Sequence, residues 1–137
     1  MVNVTLMNED AHIPMRKTCG AAGYDMVSCE DVVLPPMGRK LIGTGVIAGI
    51  PSGYYGKIEA RSSMAVKGID VGAGVIDSDY RGEIKILLIN STNDDFDIKK
   101  GERIAQMIIM PHGDDKMVVV DGLIATERAD GGFGSTN

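Results

Sequence analysis

The sequence predicts an all-β domain, a sandwich or barrel built from short strands. Short apolar runs recur along the chain, separated by turn residues at modest spacing, which is the pattern of many strands joined by turns. Only Ser62 to Lys67 has room for a helical turn, and a segment that short is not a stable helix alone. A chain of 137 residues, 44% of them hydrophobic, amounts to one domain with enough apolar material for a core. With no Trp and little Phe, that core must be made of Val, Ile, Leu, Met and Ala.

Taken in order, Val2 to Met7 alternates apolar and polar residues and reads as a strand. Val32-Val33-Leu34 is another, stopped by Pro35-Pro36. Lys40 to Ile50 is rich in Ile, Val and Gly and ends at Pro51-Ser52-Gly53; Tyr54 to Ala60 alternates again. An apolar run then enters Gly74 to Ile84, a dense polar turn follows, and a second apolar run leaves through Ile89, which reads as a hairpin. Ile104 to Met110 and Met117 to Val120 complete the expected strands. Arg128 to Asn137 differs in kind, with one Phe among Gly and small polar residues; it cannot form a core and should be mobile until something binds it. The expected division is therefore a β domain over 1–127 and a flexible tail over 128–137.

Composition narrows the function. A net charge of −5 argues against bulk electrostatic binding of DNA or RNA, and an anionic ligand would need locally concentrated Arg and a metal cation. No stretch reaches the roughly 18 apolar residues of a membrane helix. No basic leader precedes an apolar run at the N-terminus, so no signal peptide is expected. Cys19 and Cys29 lack metal-ligand spacing and read as reduced thiols of an intracellular, cytoplasmic or nuclear protein; His12 and His112 have no zinc-type partners. Eighteen Gly suggest tight turns or backbone brought close to a ligand.

The chemistry-bearing residues fall in five segments. Gly74 to Gly82 packs Asp77, Asp79, Tyr80 and Arg81 into one loop, more than a plain turn requires. Asp25 sits in a turn between apolar residues, and taken alone it reads as a turn cap. Arg61, Ser62 and Ser63 end a strand with a cation and two hydroxyls, which suits either a phosphate cradle or an N-capped helical turn. Gln106 interrupts an apolar strand, either on its wet face or recruited to a site. In the tail, Arg128, Phe133, Gly134, Ser135 and Thr136 combine a cation, a stacking face, flexible backbone and hydroxyl donors. No Walker loop or dinucleotide fingerprint is present.

In this order the five segments resemble the five motifs of the trimeric dUTP pyrophosphatase (dUTPase) family, over nearly the whole chain. The loop Gly74 to Gly82 and the tail Gly131-Gly132-Phe133-Gly134-Ser135-Thr136 are the most specific. The resemblance implies a jelly-roll β-protein that forms homotrimers and hydrolyses dUTP to dUMP and pyrophosphate with Mg²⁺. Each active site would be shared between subunits, with the tail closing over it as a lid. Asp77 would orient the attacking water and Gln106 would contact the α-phosphate. Tyr80 would pack under the deoxyribose, rejecting a 2′-hydroxyl and a 5-methyl group. The backbone from Gly74, Val75 and Ile76 across to Ile84 and Lys85 would read the uracil edge. Arg61, Ser62 and Ser63 would hold the phosphates, and Asp25 would support the metal through its water shell. Phe133 would cover the base, Arg128 would neutralise terminal phosphates, and Gly134, Ser135 and Thr136 would bind the γ-phosphate.

Several positions depart from the family pattern. Ala60 stands for the usual Pro, Ser63 and Ala129 for Gly, and Asn137 for the final Gly, while Asp130 adds a negative charge to the lid. Arg61-Ser62-Ser63 also resembles the dCTP deaminases, which share the fold, but Asp77 and Tyr80 follow the dUTPase arrangement. A nucleotide-binding protein with little activity is the other alternative, and the presence of Asp77, Tyr80, Gln106 and Phe133 argues against it.

Overall fold

The computed structural model describes residues 1–135. Its strands are β1 (Asn3–Leu6), β2 (Tyr24–Val27), β3 (Val32–Leu34), β4 (Arg39–Gly49), β5 (Tyr54–Glu59), β6 (Ile69–Gly72), β7 (Val75–Ile76), β8 (Ile84–Asn90), β9 (Phe96–Ile98) and β10 (Arg103–Pro111). One helical turn, α1 (Ser62–Ala65), interrupts them. The strands form two antiparallel four-stranded sheets, β1-β4-β8-β6 and β2-β10-β5-β7, and a β3-β9 ribbon. This is the expected all-β jelly roll.

Alternation explains the packing. Along β8, Ile84, Ile86, Leu88 and Asn90 are buried while Lys85 faces outward. Ile42, Val46 and Ala48 of β4 and Ile58, Ile104 and Met107 of the other sheet join Ile84, Ile86 and Leu88 in one hydrophobic cluster. Fully burying one such side chain is worth about 1.5–3 kcal/mol, so this shared layer is what holds the two sheets face to face. Asn90 is buried yet satisfied, because its amide donates to the carbonyls of Leu34, Pro35 and Asp94. That network pins the end of β8 to β3.

Three expectations are corrected. Met117 to Val120 forms no strand; all four side chains are exposed, because among the described residues no strand lies beside them to complete a ladder. The short strands β2, β6 and β9 arise where no strand was expected; each is three or four residues long and carries an Asp. The segment around Asp77 is not a hairpin in the ladder sense: β7 pairs with β5 whereas β8 pairs with β4 and β6, so the turn crosses from one sheet to the other.

Candidate active site

Strand β10 runs between β2 and β5, which sets Gln106 opposite Asp25 on one side and Glu59 on the other. The Gln106 amide donates to the carbonyl of Ala60 at 3.0 Å. Gly23 leaves room for that side chain, since a Cβ there would lie 2.2 Å from Gln106 Oε1. Asp25 sits between two guanidiniums. Its Oδ2 accepts from Arg103 Nη1 at 3.0 Å, and its Oδ1 lies 3.6 Å from Arg61 Nε. Arg61 in turn donates from Nη1 to the Arg103 carbonyl at 2.9 Å.

Ser62 and Ser63 open α1 directly after Arg61, both exposed, with no side-chain cap on the turn. The first, second and fourth sequence segments therefore converge on one cationic corner. Arg103 is part of it and was not anticipated. Its partner Asp25 is 78 positions away, so the pairing is visible only once the β2–β10 register is known.

The third segment makes a second cluster. Gly74 has φ of +111°, a region L side chains rarely adopt, and a Cβ there would lie 2.8 Å from the Ile58 carbonyl. Its own carbonyl accepts from Ile58 N at 2.8 Å, which ties the entry of the loop to β5. A cleft of about 280 Å³ follows, lined by Leu41, Val75, Ile76, Asp77, Tyr80, Glu83 and Lys85. Asp77 is exposed at its rim, and its carbonyl accepts from Tyr80 N at 3.2 Å. The Tyr80 hydroxyl donates to the Glu83 carbonyl at 2.9 Å. The ring folds over Gly82, where a Cβ would meet Tyr80 Oη at 2.4 Å. Ile84 is a core residue rather than a wall of the cleft, and its carbonyl accepts from the buried Thr44 hydroxyl.

The tail adopts turns. Arg128 Nε donates to the Gly131 carbonyl at 2.8 Å, and Ser135 N donates to the Gly132 carbonyl at 3.0 Å. Ala129, Phe133 and Gly134 have φ of +48°, +50° and +89°. Phe133 is fully exposed in the single chain. Among the described residues, no hydrogen bond or ion pair joins Arg128–Ser135 to either cluster. Thr136 and Asn137 lie outside the described residues.

The two clusters stand apart in one chain. Ile76 pairs with Gly56 and Gln106 with Glu59, on opposite sides of β5. Three residues along a strand and two strand spacings across the sheet separate their backbones by roughly 14 Å. Asp77 continues away from Gln106, because β7 runs antiparallel to β5. A larger apolar groove of about 630 Å³, bordered by Val4, Ile13, Tyr24, Tyr54 and Ile109, contains none of the anticipated site residues.

The chain thus combines an aliphatic jelly roll with an Arg-Ser-Ser turn, an Asp–Tyr cleft and a Gly-rich aromatic tail. Comparisons with known proteins place this combination in a family. The dUTPase family model matches residues 9–137. A deoxyuridine 5'-triphosphate nucleotidohydrolase of Paramecium bursaria Chlorella virus 1 is 55% identical over 93% of this chain and 92% of its own. The Staphylococcus bacteriophage 80alpha dUTPase with dUPNHPP superposes with a TM-score of 0.94 at 30% identity, covering 100% of this chain and 98% of that one. A dUTPase from phage phi11 of S. aureus, whose structure concerns coordination of a structural Mg(II) ion, has a TM-score of 0.84 at 28% identity over 89% of this chain and 97% of its own. The chain belongs to the dUTPase family.

Proposed function

We propose that this chain hydrolyses dUTP to dUMP and pyrophosphate with the help of Mg²⁺, as a homotrimer whose active sites are each assembled from more than one subunit. The reaction would limit uracil incorporation into DNA and supply dUMP for dTMP synthesis, in an intracellular compartment where Cys19 and Cys29 stay reduced. The observation that carries the shared site is the separation of the two clusters. A water oriented by Asp77 and a phosphate touched by Gln106 must be neighbours, yet one chain holds the two residues on opposite sides of β5. A second copy, placing its Arg61–Gln106 corner over the Asp77–Tyr80 cleft, removes the conflict. The exposed apolar run Met117-Val118-Val119-Val120 with Leu123 and Ile124 supports the same reading, since a patch of this kind marks a surface that a partner covers.

The roles follow from charge and shape. In phosphoryl transfer a protein mainly positions groups and stabilises charge. Asp77 accepts a hydrogen bond from the attacking water and orients it toward the α-phosphorus. Being an aspartate, it does more orienting than deprotonating. Gln106 donates to the α-phosphate. Arg61 and the hydroxyls of Ser62 and Ser63 hold the leaving pyrophosphate. Tyr80 presents its ring face to the deoxyribose, leaving no room for a 2′-hydroxyl, and the backbone of Gly74 to Ile76 and of Lys85 reads the uracil edge, with the buried Ile84 supporting that strand from the core. In the lid, Phe133 stacks on the base, Arg128 and Ser135 take the terminal phosphates with Gly134 and Thr136, and closure excludes water.

Mg²⁺ fits as a metal carried chiefly by the triphosphate. Among the described residues no group of three or more His, Cys, Asp or Glu could hold it. Mg²⁺ sites of this type keep several waters and use one or two carboxylates plus substrate phosphates. Asp25 retains lone pairs beyond its two Arg contacts and would serve through water. When bound, the ion neutralises triphosphate charge that an acidic protein disfavours.

The test is pyrophosphate release from dUTP, dTTP, dCTP and UTP, each with Mg²⁺ and with EDTA. Release from dUTP alone, abolished by EDTA, is the expected result. A folded protein that leaves dUTP intact contradicts the proposal, and ammonia release from dCTP would then point to deamination.

A further inference from the structure

Tyr80 is held by more than its own turn. The residue whose carbonyl accepts the Tyr80 hydroxyl, Glu83, also reaches across to β4 with its side chain. Its Oε1 accepts from Gly45 N at 2.9 Å, inside the bulge that breaks the β4 register between Gly43 and Val46. Glycine is needed there, since a Cβ on Gly43 would lie 2.8 Å from that oxygen, and Gly45 has φ of +67°. The buried Thr44 completes the latch by donating to the carbonyl of Ile84, the residue after Glu83. The other carboxylate oxygen faces Lys85 Nζ at 3.9 Å, and the side chain is 20% exposed. Glu83 thus grips one side of the bulge with its side chain, while Glu30 Oε1 accepts from Gly43 N at 3.0 Å on the other, and it holds an aromatic ring with its backbone.

We infer that Glu83 is a positioning residue for base and sugar selection: the β4 bulge, gripped by its carboxylate, sets the height of the Tyr80 ring above the cleft floor. The inference rests on the reading in which Tyr80 packs under the deoxyribose. A ring anchored at its hydroxyl to a fixed carbonyl discriminates by steric exclusion, which requires that the carbonyl not drift. Without the carboxylate, the Gly45 N–H loses its acceptor and the Glu83 backbone is tied to β4 only through the neighbouring Ile84, which accepts from Thr44 and pairs with Val46. Gln can keep the contact, because its amide oxygen accepts the same N–H.

The experiment measures kcat and KM separately for dUTP, UTP and dTTP with the full-length protein, for wild type, Glu83→Ala, Glu83→Gln and Tyr80→Ala. Glu83→Ala is expected to lower the dUTP:UTP and dUTP:dTTP ratios of kcat/KM about tenfold, on the scale of losing one well-shaped contact. The change should lie mainly in KM for dUTP, and Glu83→Gln should restore most of the ratio. A uniform fall in kcat for all substrates, with ratios intact, would mean that Glu83 only supports the fold and overturns the inference. Tyr80→Ala separates the two levels of the argument. Ratios that collapse in Tyr80→Ala but stand in Glu83→Ala overturn the Glu83 inference alone. Ratios that stand in both sink the Tyr80 reading, and the inference with it. Should Glu83→Ala prove insoluble, Glu83→Asp, whose shorter carboxylate withdraws from Gly45, reads the same ratios.

Discussion

Gly23 and Gln106 are in contact across the β2–β10 edge: the position of a Gly23 Cβ lies only 2.2 Å from Gln106 Oε1 and 2.9 Å from Gln106 Cβ. The amide of Gln106 is therefore held between the Ala60 carbonyl, to which it donates, and bare backbone. Replacing Gly23 by Ala should push the amide out of place. A misplacement of about 1 Å in a positioning group can cost about a hundredfold in rate, whereas an extra methyl at a tight site typically costs about 1–3 kcal/mol of stability. Gly23→Ala should thus lower kcat for dUTP by one to two orders of magnitude in a protein that still folds. Steady-state kinetics beside thermal melting check this, and an unchanged kcat contradicts it.

Asp77 stands exposed at the rim of the Tyr80 cleft, with its side chain free to face a ligand rather than the core. Asp77→Asn keeps the shape but replaces a charged acceptor with a weaker one. Turnover should drop about 10²–10⁴-fold, the range for a proton-handling or water-orienting group. Binding of a non-hydrolysable dUTP analogue should survive, as calorimetry can show. Normal hydrolysis by this variant would remove Asp77 from the reaction.

Phe133 is fully exposed and sits at φ of +50° between Gly132 and Gly134, so in the single chain it packs against no core. Its removal should leave the melting temperature unchanged. Base–aromatic stacking is worth about 1–3 kcal/mol, so Phe133→Ala should weaken analogue affinity by about five- to 150-fold and slow turnover. Unaltered kinetics would exclude the stacking role.

The two thiols should differ in reactivity. Burial pushes the Cys29 thiol above its usual range, and the nearby carboxylates of Glu83 and Glu30 push the same way. Less thiolate is then present at neutral pH, and the thiolate is the nucleophile. Cys19 is exposed. Alkylation at pH 7.5–8 followed by mass spectrometry should label Cys19 well before Cys29, with the gap narrowing as pH rises. Equal labelling rates would contradict the shielding of Cys29.

Most of the β framework was legible in the sequence where alternation is strong. Lys85 between Ile84 and Ile86, and the long runs of β4 and β10, announce half-buried strands directly. Two kinds of information were not local. Met117 to Val120 has strand-forming composition, but a strand exists only beside a partner, and the described residues offer none. The Asp77 turn looks like a hairpin because its flanks are apolar, yet β5 captures β7 while β4 and β6 capture β8. The site divides in the same way. Asp77, Tyr80, Arg61 and Gln106 stand out as polar residues in apolar surroundings. Arg103, which holds Asp25, and Glu83, which holds Gly45, acquire meaning only from registers set by distant strands.

If no single chain holds a complete site, mixing inactive subunits restores activity. Asp77→Asn and Arg61→Ala chains, each with little activity alone, are co-expressed with distinct tags and purified as mixed oligomers. If each site takes its Asp77 cleft from one copy and its Arg61–Gln106 corner from the next around a cyclic trimer, every mixed trimer, two-to-one or one-to-two, has about a third of its sites with both groups intact. Mixed oligomers are expected to recover about that share of wild-type turnover. Mixed oligomers as inactive as their parents would show that Asp77 and Arg61 serve the same reaction from within one chain, contrary to the geometry of β5 and its neighbours.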